Sequence, residues 1–348
     1  MTDTKHSIIF GNSNYMKEVE DESIDLIVTS PPYPMYDMWD SMFTNMNAEI
    51  GDCLKTNPMR AFELQHRELD KVWDECIRVL KDSGFMCINI ADAPRSFDGD
   101  FQMFDNHSRI VTYLTNKGLK ELPPIVWKKV CNAPNKFMGS GTLPCGAYVT
   151  SEHEHILIFR KGTKRTYTEE EKKLRRESAF FYEERNTWFS DTWNVVGTSQ
   201  KIDASRDRSA AYPLEIPYRL ISMYSMKGDK VLDPFGGLQT TTTAAMLLGR
   251  NSIGYEIDKG LEPLIRSNLE SAPTLNHLIE GRLIRHREYS KQRECKHHNS
   301  NLKCNVVTSY ETDIRLDVIK SIKNVEGDNL QYQVTYEPLI TDIRHTVL

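Results

Sequence analysis

Four things that would settle a function quickly are missing from this 348-residue chain: paired cysteines, a long apolar run, a zinc-type Cys-x-x-Cys and a phosphate-cradling glycine loop. The seven cysteines, Cys53, Cys76, Cys87, Cys131, Cys145, Cys295 and Cys304, are odd in number and scattered, which suits a reducing compartment. No apolar stretch approaches the roughly 20 residues of a membrane helix. The opening "MTDTKHSIIFGN" has no basic segment leading into an apolar one, so no secretory signal is visible and a cytoplasmic protein is expected. GxxxxGK[ST] and GxGxxG are both absent, which excludes a P-loop. "CKHHNSNLKC", from Cys295 to Cys304, lacks a well-spaced second ligand pair, so no metal centre is expected and the segment reads as a polar surface loop. Basic excess is missing too. A net charge of −5 and a pI near 6.1 exclude a protein that coats nucleic acid indiscriminately, while leaving room for local basic patches. Two such patches exist, Phe159 to Ser178 and Gly281 to His298, and each reads equally as a nucleic-acid contact or a solvated helix face.

What is present is alternation. Hydrophobic residues at 39% with 27% charged residues supply an ordinary core, enough for one large α/β domain with appendages or two smaller ones. Residues 6–33 read as strand, short polar helix, strand. Ala61 to Phe85 carries Leu69, Val72, Trp73, Cys76, Ile77 and Leu80 at helical spacing, with Gly84 where a helix would end. "FMCINIADA" reads as a buried strand, with Cys87 as a small hydrophobe. A helix ending at Gly118 and the strands "PPIVWKK" and "HEHILIFRKG" follow. Residues 163–210 are charged and aromatic without period, and the alternation then resumes from "LEIPYRLISMYSM" to "PLIRSNLESA". Short links between strands and helices imply an α/β fold: a mostly parallel sheet with helices on both faces. The tail from about residue 280 is basic, then alternates around Gly327-Asp328 like a hairpin.

Two corners carry the chemistry. In "DLIVTSPPYPMYDMW", Asp25 to Trp39, an apolar run meets two prolines, which lack N–H groups and fix φ, so the strand stops abruptly on Ser30 and Tyr33. In "VLDPFGGLQTTTTAAMLLGRNSIGYEID", Val231 to Asp258, a strand, a glycine turn, a helix and a strand ending in acid follow one another. Ligands of open α/β sheets sit at the carboxyl ends of strands, and Glu256 stands where ribose hydroxyls are usually held, so a nucleoside-containing cofactor is implied.

"DPFGGLQTTTTAAMLLGRNSIGYEID" resembles the S-adenosylmethionine-binding motif of DNA amino-methyltransferases, and "TSPPY" resembles their catalytic motif. Their order, catalytic motif first, is that of the circularly permuted β group. The likeness extends through "WDECIRVLKDSGFMCINIAD", "IVWKK", "SEHEHILIFRKG", "SDTWNV" and "YPLEIPYRLI", about residues 6–275. It implies a Rossmann-like methyltransferase fold with a catalytic half at 1–162, a target-recognition region at 163–207 and a cofactor half at 208–280; the extension at 281–348 lies beyond the likeness and is expected to add DNA contact through its basic residues.

In the reaction implied, an exocyclic amine displaces a methyl group in line, with no covalent enzyme intermediate. Ser30 Oγ and the Pro31 carbonyl accept the amino hydrogens, Pro31 and Pro32 lock the corner, and Tyr33 stacks on a base extruded from the duplex. Asp92 orients Ser30 or takes up a proton; the plain alternative is a turn cap before Pro94. Tyr36 and Trp39 line the base pocket or simply pack. The cofactor is S-adenosylmethionine, held by Gly11, Asn12, Tyr212, Pro213, Asp233, Pro234, Phe235, Gly237, Thr240, Thr241 and Glu256. Three positions depart from the family pattern. Gln239 replaces a glycine, which suggests a wider or weaker cofactor turn; Asn12 replaces an aspartate; Arg208-Ser209 replaces His-Pro. In this group serine at the first motif position goes with cytosine N4 and aspartate with adenine N6, so Ser30 implies cytosine, with adenine N6 as the alternative. An RNA or protein amine methyltransferase and a catalytically silent DNA-binding module are the rival readings. The partners implied are double-stranded DNA and a cognate restriction endonuclease, in a prokaryotic or viral setting, with the chain a monomer or homodimer and no membrane.

Overall fold

The computed structural model describes residues 3–129, 138–197, 200–203, 206–208, 212–325, 327 and 329–340. Ten strands form the main sheet: β1 (Thr4–Phe10), β2 (Ile24–Thr29), β3 (Leu80–Ile90), β4 (Lys120–Lys129), β5 (His153–Arg160), β6 (Thr192–Val195), β7 (Lys230–Asp233), β8 (Asn251–Glu256), β9 (Asp317–Val325) and β10 (Leu330–Pro338). Their order is β6-β4-β5-β3-β2-β7-β8-β1-β10-β9. The five strands β3, β2, β7, β8 and β1 are mutually parallel, so their carboxyl ends share one edge. β5 runs antiparallel to β3 and β4, and β10 antiparallel to β1 and β9. The mostly parallel sheet expected from the alternation is present, mixed at both flanks.

Helices cover both faces: α1 (Pro58–Val79) and α2 (Asn106–Asn116) on one, α5 (Glu215–Tyr224), α6 (Thr240–Leu248), α7 (Glu262–Glu270) and α8 (His277–Lys291) on the other, with α3 (Glu169–Glu177) and α4 (Tyr182–Trp188) beside the latter. Strand alternation divides the core accordingly: Ile8, Leu26 and Val28 enter one layer, Ile9 and Ile27 the other. α1 starts cleanly because Pro58 follows Asn57, whose side chain accepts the Arg60 N–H. It buries Leu69, Val72, Trp73 and Cys76 on the expected face. Truncating Trp73, fully buried, to alanine would cost about 3–5 kcal/mol.

Several expectations are corrected. Residues 11–23 form turns rather than a short helix. Arg78 at the end of α1 takes the carbonyls of Met16 and Val19, and Glu75 takes the Met16 N–H, so the segment's backbone groups are satisfied by α1. Gly84 lies inside β3, not at a helix end. The helix stops at Val79, Leu80 turns extended, and residues 81–84 bulge out between the pairs Ile24↔Leu80 and Leu26↔Phe85, with Ser83 at φ 67°. The span 163–210, without period in sequence, still carries regular elements: a Thr168–Glu171 capping box starts α3, and α4 and β6 place Phe181, Trp188 and Trp193 in the core. Cys295 to Cys304 is no surface loop. It enters a hairpin, His297–Asn299 with Cys304–Val306, that buries Asn299, Leu302, Cys304 and Val306. The basic run from Gly281 is a solvated face only in part: Arg285, Lys291 and Arg293 are exposed, whereas Arg282 and His286 are buried and bond to Glu184 and Glu183 of α4. The hairpin expected at the tail exists as β9 and β10, and it extends the main sheet by pairing with β1. Cys131 and Ser209 lie outside the described residues. No helix among the described residues is long and apolar enough to cross a membrane.

Candidate active site

β2 and β7 are adjacent parallel strands, so Ser30 and Asp233, at or just past their carboxyl ends, are brought together from opposite halves of the sequence. Asp233 is a buried clamp. One carboxylate oxygen accepts the Thr29 hydroxyl at 2.6 Å and the Phe235 N–H at 3.0 Å; the other accepts the Thr241 hydroxyl at 2.6 Å and faces the Tyr212 hydroxyl at 3.5 Å. Burial pushes this carboxyl above its usual range, against the pull of those donors. Tyr212 also bonds to Thr241, and Pro213 beside it is buried ahead of α5.

Above the clamp opens a cavity of about 710 Å3. It brings together Gly11, Asn12, Ser30, Pro31, Pro32, Trp39, Tyr212, Pro234, Phe235, Gly237, Thr240 and Glu256. Leu69 and Val72 of α1 and Phe43 add an apolar wall. Asp233, Thr241 and Pro213 do not line it, and neither do Tyr33, Tyr36 and Asp92. Cofactor-sized pockets run roughly 300–1,000 Å3, mostly apolar with a few placed polar groups, and this one fits. Gly237 sits at φ 52°, where an L side chain is strained. Glu256 closes β8; its carboxylate accepts the Asp258 N–H, and its carbonyl accepts the Gly11 N–H. Asn12 accepts the Asn14 N–H through its side-chain oxygen.

At Gln239 the turn keeps a glycine-like backbone. That residue adopts the left-handed conformation a glycine would take, φ 64° and ψ 38°, and its side chain is fully buried. It fills the slot between Gly236 and Gly254, where an added Cβ would come within 2.1 Å and 2.0 Å of its amide.

On the other side of the cavity wall, a polar chain runs inward from the Pro-Pro corner. Ser30 Oγ is 3.0 Å from the Tyr33 hydroxyl, which donates to Glu154 Oε2 at 2.9 Å. Asn89 Nδ2 donates to the same Tyr33 oxygen at 2.8 Å and to Glu154 Oε2 at 2.5 Å, and Lys129 pairs with Glu154 Oε1. Burial, with Glu154 alongside, pushes the Tyr33 phenol well above its usual range. Tyr33 is only 6% exposed and stands edge-on to Tyr36, so its ring is packed rather than open to the cavity. Met35 follows at φ 66°, its N–H held by buried Gln65, while Asn106 donates to the carbonyls of Pro34 and Ala91.

Asp92 bonds elsewhere than the sequence suggested. It accepts the His107 N–H at 3.0 Å and His107 Nδ1 at 2.8 Å, with His155 Nε2 at 3.6 Å, whereas Ser30 bonds to Tyr33 and Asn89. Burial would raise the Asp92 carboxyl, but the two histidines outweigh it and hold it well below the usual range. Tyr36 donates to the Asp92 carbonyl. Glu154, Asn89 and Lys129 lie in stretches that resemble the family but showed no role of their own, and Gln65 and Asn106 carried no motif signal, because each acts through partners distant in sequence.

A model of the DNA methylase family matches residues 24–267. The chain belongs to this family. This DNA methylase is 47% identical over 336 residues to the type II methyltransferase M.MthZI of Methanothermobacter thermautotrophicus, spanning 94% of this chain and 95% of that one. It is 49% identical over 278 residues to M.MjaI of Methanocaldococcus jannaschii, spanning 76% and 91%. Among solved structures it is similar to TTHA0409 of Thermus thermophilus, assigned as a DNA modification methylase and complexed with S-adenosyl-L-methionine. There the TM-score is 0.60 and the identity 28%, over 77% of this chain and 95% of that one. The PvuII DNA methyltransferase, cytosine-N4-specific, shares the fold at TM-score 0.55 and 16% identity, over 76% and 86%.

Proposed function

We propose that this DNA methylase transfers a methyl group to the exocyclic N4 amine of cytosine in duplex DNA, on a base turned out of the helix, as the modification arm of a restriction–modification system. The methyl donor is S-adenosylmethionine, which supplies an electrophilic carbon on a sulfonium. The observation that carries the reading is the meeting of Ser30 and the glycine turn around one cavity. On this reading Glu256 holds the ribose hydroxyls, Asn12 offers its amide oxygen to the adenine amino group, and Phe235, Leu69 and Val72 exclude water around the adenine. Gly237 gives the donor close backbone approach.

Ser30 contributes by orientation. With its proton given to Tyr33, its remaining lone pairs face the cavity and accept from the amine, drawing the nitrogen toward tetrahedral geometry. The choice of cytosine rests on Ser30 in place of an acidic residue. Adenine N6 is the alternative, because the family embraces both amines. Target recognition is assigned to the span 163–207, where Arg175 and Arg185 have no carboxylate partner among the described residues, and further DNA contact to 281–348. Both are proposals about segments whose aromatic and hairpin residues also pack in the core.

The test is duplex DNA incubated with labelled S-adenosylmethionine, followed by nucleoside analysis. N4-methylcytosine supports the reading, N6-methyladenine moves it to the alternative, and label found only in RNA or protein refutes both. Ser30→Ala should slow single-turnover transfer on the order of 100-fold while cofactor affinity, read by calorimetry, stays close to wild type.

A further inference from the structure

Methylation of an amine leaves the nitrogen with one proton too many, and something must receive it. The carboxylate nearest in sequence logic, Asp92, is occupied by two histidines and does not reach Ser30. We propose that the proton leaves through a relay of Ser30, Tyr33 and Glu154, with Glu154 as its terminal acceptor. This rests on the amine-methylation reading above.

The geometry is continuous. Ser30 lines the cavity; its Oγ lies 3.0 Å from the Tyr33 oxygen, and that hydroxyl lies 2.9 Å from Glu154 Oε2. Glu154 and Asn89, 4% and 2% exposed, are sealed from water, so the hydrogen bonds have one orientation each. Asn89 has only N–H groups to offer Tyr33 and Glu154 through Nδ2, which forces both oxygens to act as acceptors toward it. Tyr33 must therefore donate its own proton to Glu154, and Ser30 must donate its proton to Tyr33. Every hydrogen in the chain already points from the cavity to the carboxylate.

The step balances without any further reactant. The amine N–H bond breaks as an O–H bond forms at Ser30 Oγ; the former Ser30 proton passes to the Tyr33 oxygen; the former Tyr33 proton passes to Glu154 Oε2. A cationic methylated amine and a carboxylate become a neutral secondary amine and a carboxylic acid. Tyr33 never exists as a free phenolate, which its buried setting would resist. Lys129, 40% exposed and paired with the far oxygen of Glu154, places that end of the carboxyl group next to solvent. A buried acceptor behind two hydroxyls also spares the site an anion next to the sulfonium, where it would compete with the amine.

Glu154 and Asn89 are thus positioning residues, acting on substrate only through Ser30. The test is single-turnover methyl transfer to duplex DNA across pH for wild type, E154Q and Y33F, with S-adenosylmethionine affinity of each measured by calorimetry. Wild type should slow on the acid side, where a protonated Glu154 cannot receive. E154Q should be on the order of 100-fold slower, typical of a lost proton acceptor, with that acid limb gone and cofactor affinity unchanged; E154D should restore the limb. Y33F, which cuts the chain without touching the carboxylate's charge, should match E154Q and decides the matter if E154Q does not fold. Formation of product should also raise a carboxylic-acid infrared band in wild type that E154Q lacks. An E154Q enzyme as fast as wild type, or slow at every pH with the same acid limb, overturns the relay. Wild type that methylates no DNA amine overturns instead the function on which it rests.

Discussion

The slot around Gln239 gives a sharp quantitative test. Gly254 lies in mid-strand β8, and a methyl group there would stand 2.0 Å from Gln239 Oε1 and 2.8 Å from its Cδ. Gln239 cannot swing away, being fully buried, in left-handed conformation, and bonded through Oε1 to the Thr242 hydroxyl at 2.8 Å. Gly254→Ala should therefore cost about 1–3 kcal/mol for overpacking and about 1 kcal/mol more for the displaced Thr242 bond. Gln239→Gly alone should have a small net effect. It relieves about 1 kcal/mol of left-handed strain and loses roughly as much in the bond and the void it leaves. With the amide gone, the Gly254→Ala methyl enters vacated space and should be almost neutral. Urea unfolding of the four proteins should yield a coupling energy of about 2–4 kcal/mol. Because Gly236, Gly237 and Thr240 of the same turn line the cavity, Gly254→Ala should also weaken cofactor binding about tenfold, ~1.4 kcal/mol. Equal costs for Gly254→Ala in both backgrounds would refute the claim that Gln239 occupies the glycine's place.

Thr29→Val removes one donor from the buried Asp233 carboxylate and should cost about 1.5–3 kcal/mol, seen as a lower urea midpoint; methyl transfer should slow more than cofactor binding weakens, since the lost bond tethers the Ser30 side. Lys227→Met should destabilise by about 3–5 kcal/mol, because it leaves Asp317 of β9 buried without its 2.5 Å partner, and the double variant K227M/D317L should recover most of that loss. For Asp92, the folded carboxyl is depressed, so its contribution is present above the unfolded value and lost as pH falls; its partner His107 is raised, chiefly by the Asp92 hydrogen bond, so that contribution is present below the unfolded imidazole value and lost as pH rises through the folded one. The stability deficit of Asp92→Asn should therefore peak between about pH 4 and 6.5, at about 1 kcal/mol for this partly exposed pair, and a deficit constant from pH 4 to 9 in urea titrations would contradict it.

How much could be read from sequence depended on where each residue's partners lie. β2 is buried along its whole length and carries the apolar run Leu26 to Val28, while β7 and β8 are short but flank the glycine turn through brief links, so all three were legible. α3 was not, because it buries no side chain and so shows no apolar period. The Gly84 reading failed because a bulge and a helix stop use the same residue type, and only the pairing with β2 distinguishes them. The hairpin of β9 and β10 was visible through its local turn, yet its docking was not: β10 pairs Val334 with Thr4, at the far end of the chain. In the site, residues placed by strand ends, such as Ser30, Gly237 and Glu256, could be named in advance. The contact of Glu154 with the Pro-Pro corner could not, since it is made through Tyr33, 121 positions away.

Asp233 shows why the two corners need each other. In-line transfer tolerates little misplacement, since an error near 1 Å can cost about 100-fold in rate. On the proposed reading, the group that accepts from the amine and the turn that holds the methyl donor are carried on different strands, so their separation has to be fixed by something stiffer than two loops. β2 and β7 pair through Leu26↔Val231 and Ile27↔Leu232, and just beyond the last pair the Asp233 carboxylate takes Thr29 on one side and Phe235 and Thr241 on the other. Ser30 follows Thr29 directly, and Phe235 begins the donor's turn. A carboxylate is suited to this post because it accepts from several donors at once, and the cost of burying its charge, visible in its raised titration, is offset only while all of them are in place. On that reading, the acid of the glycine-turn motif acts from beneath the cavity, tying together two corners whose ligands it does not touch.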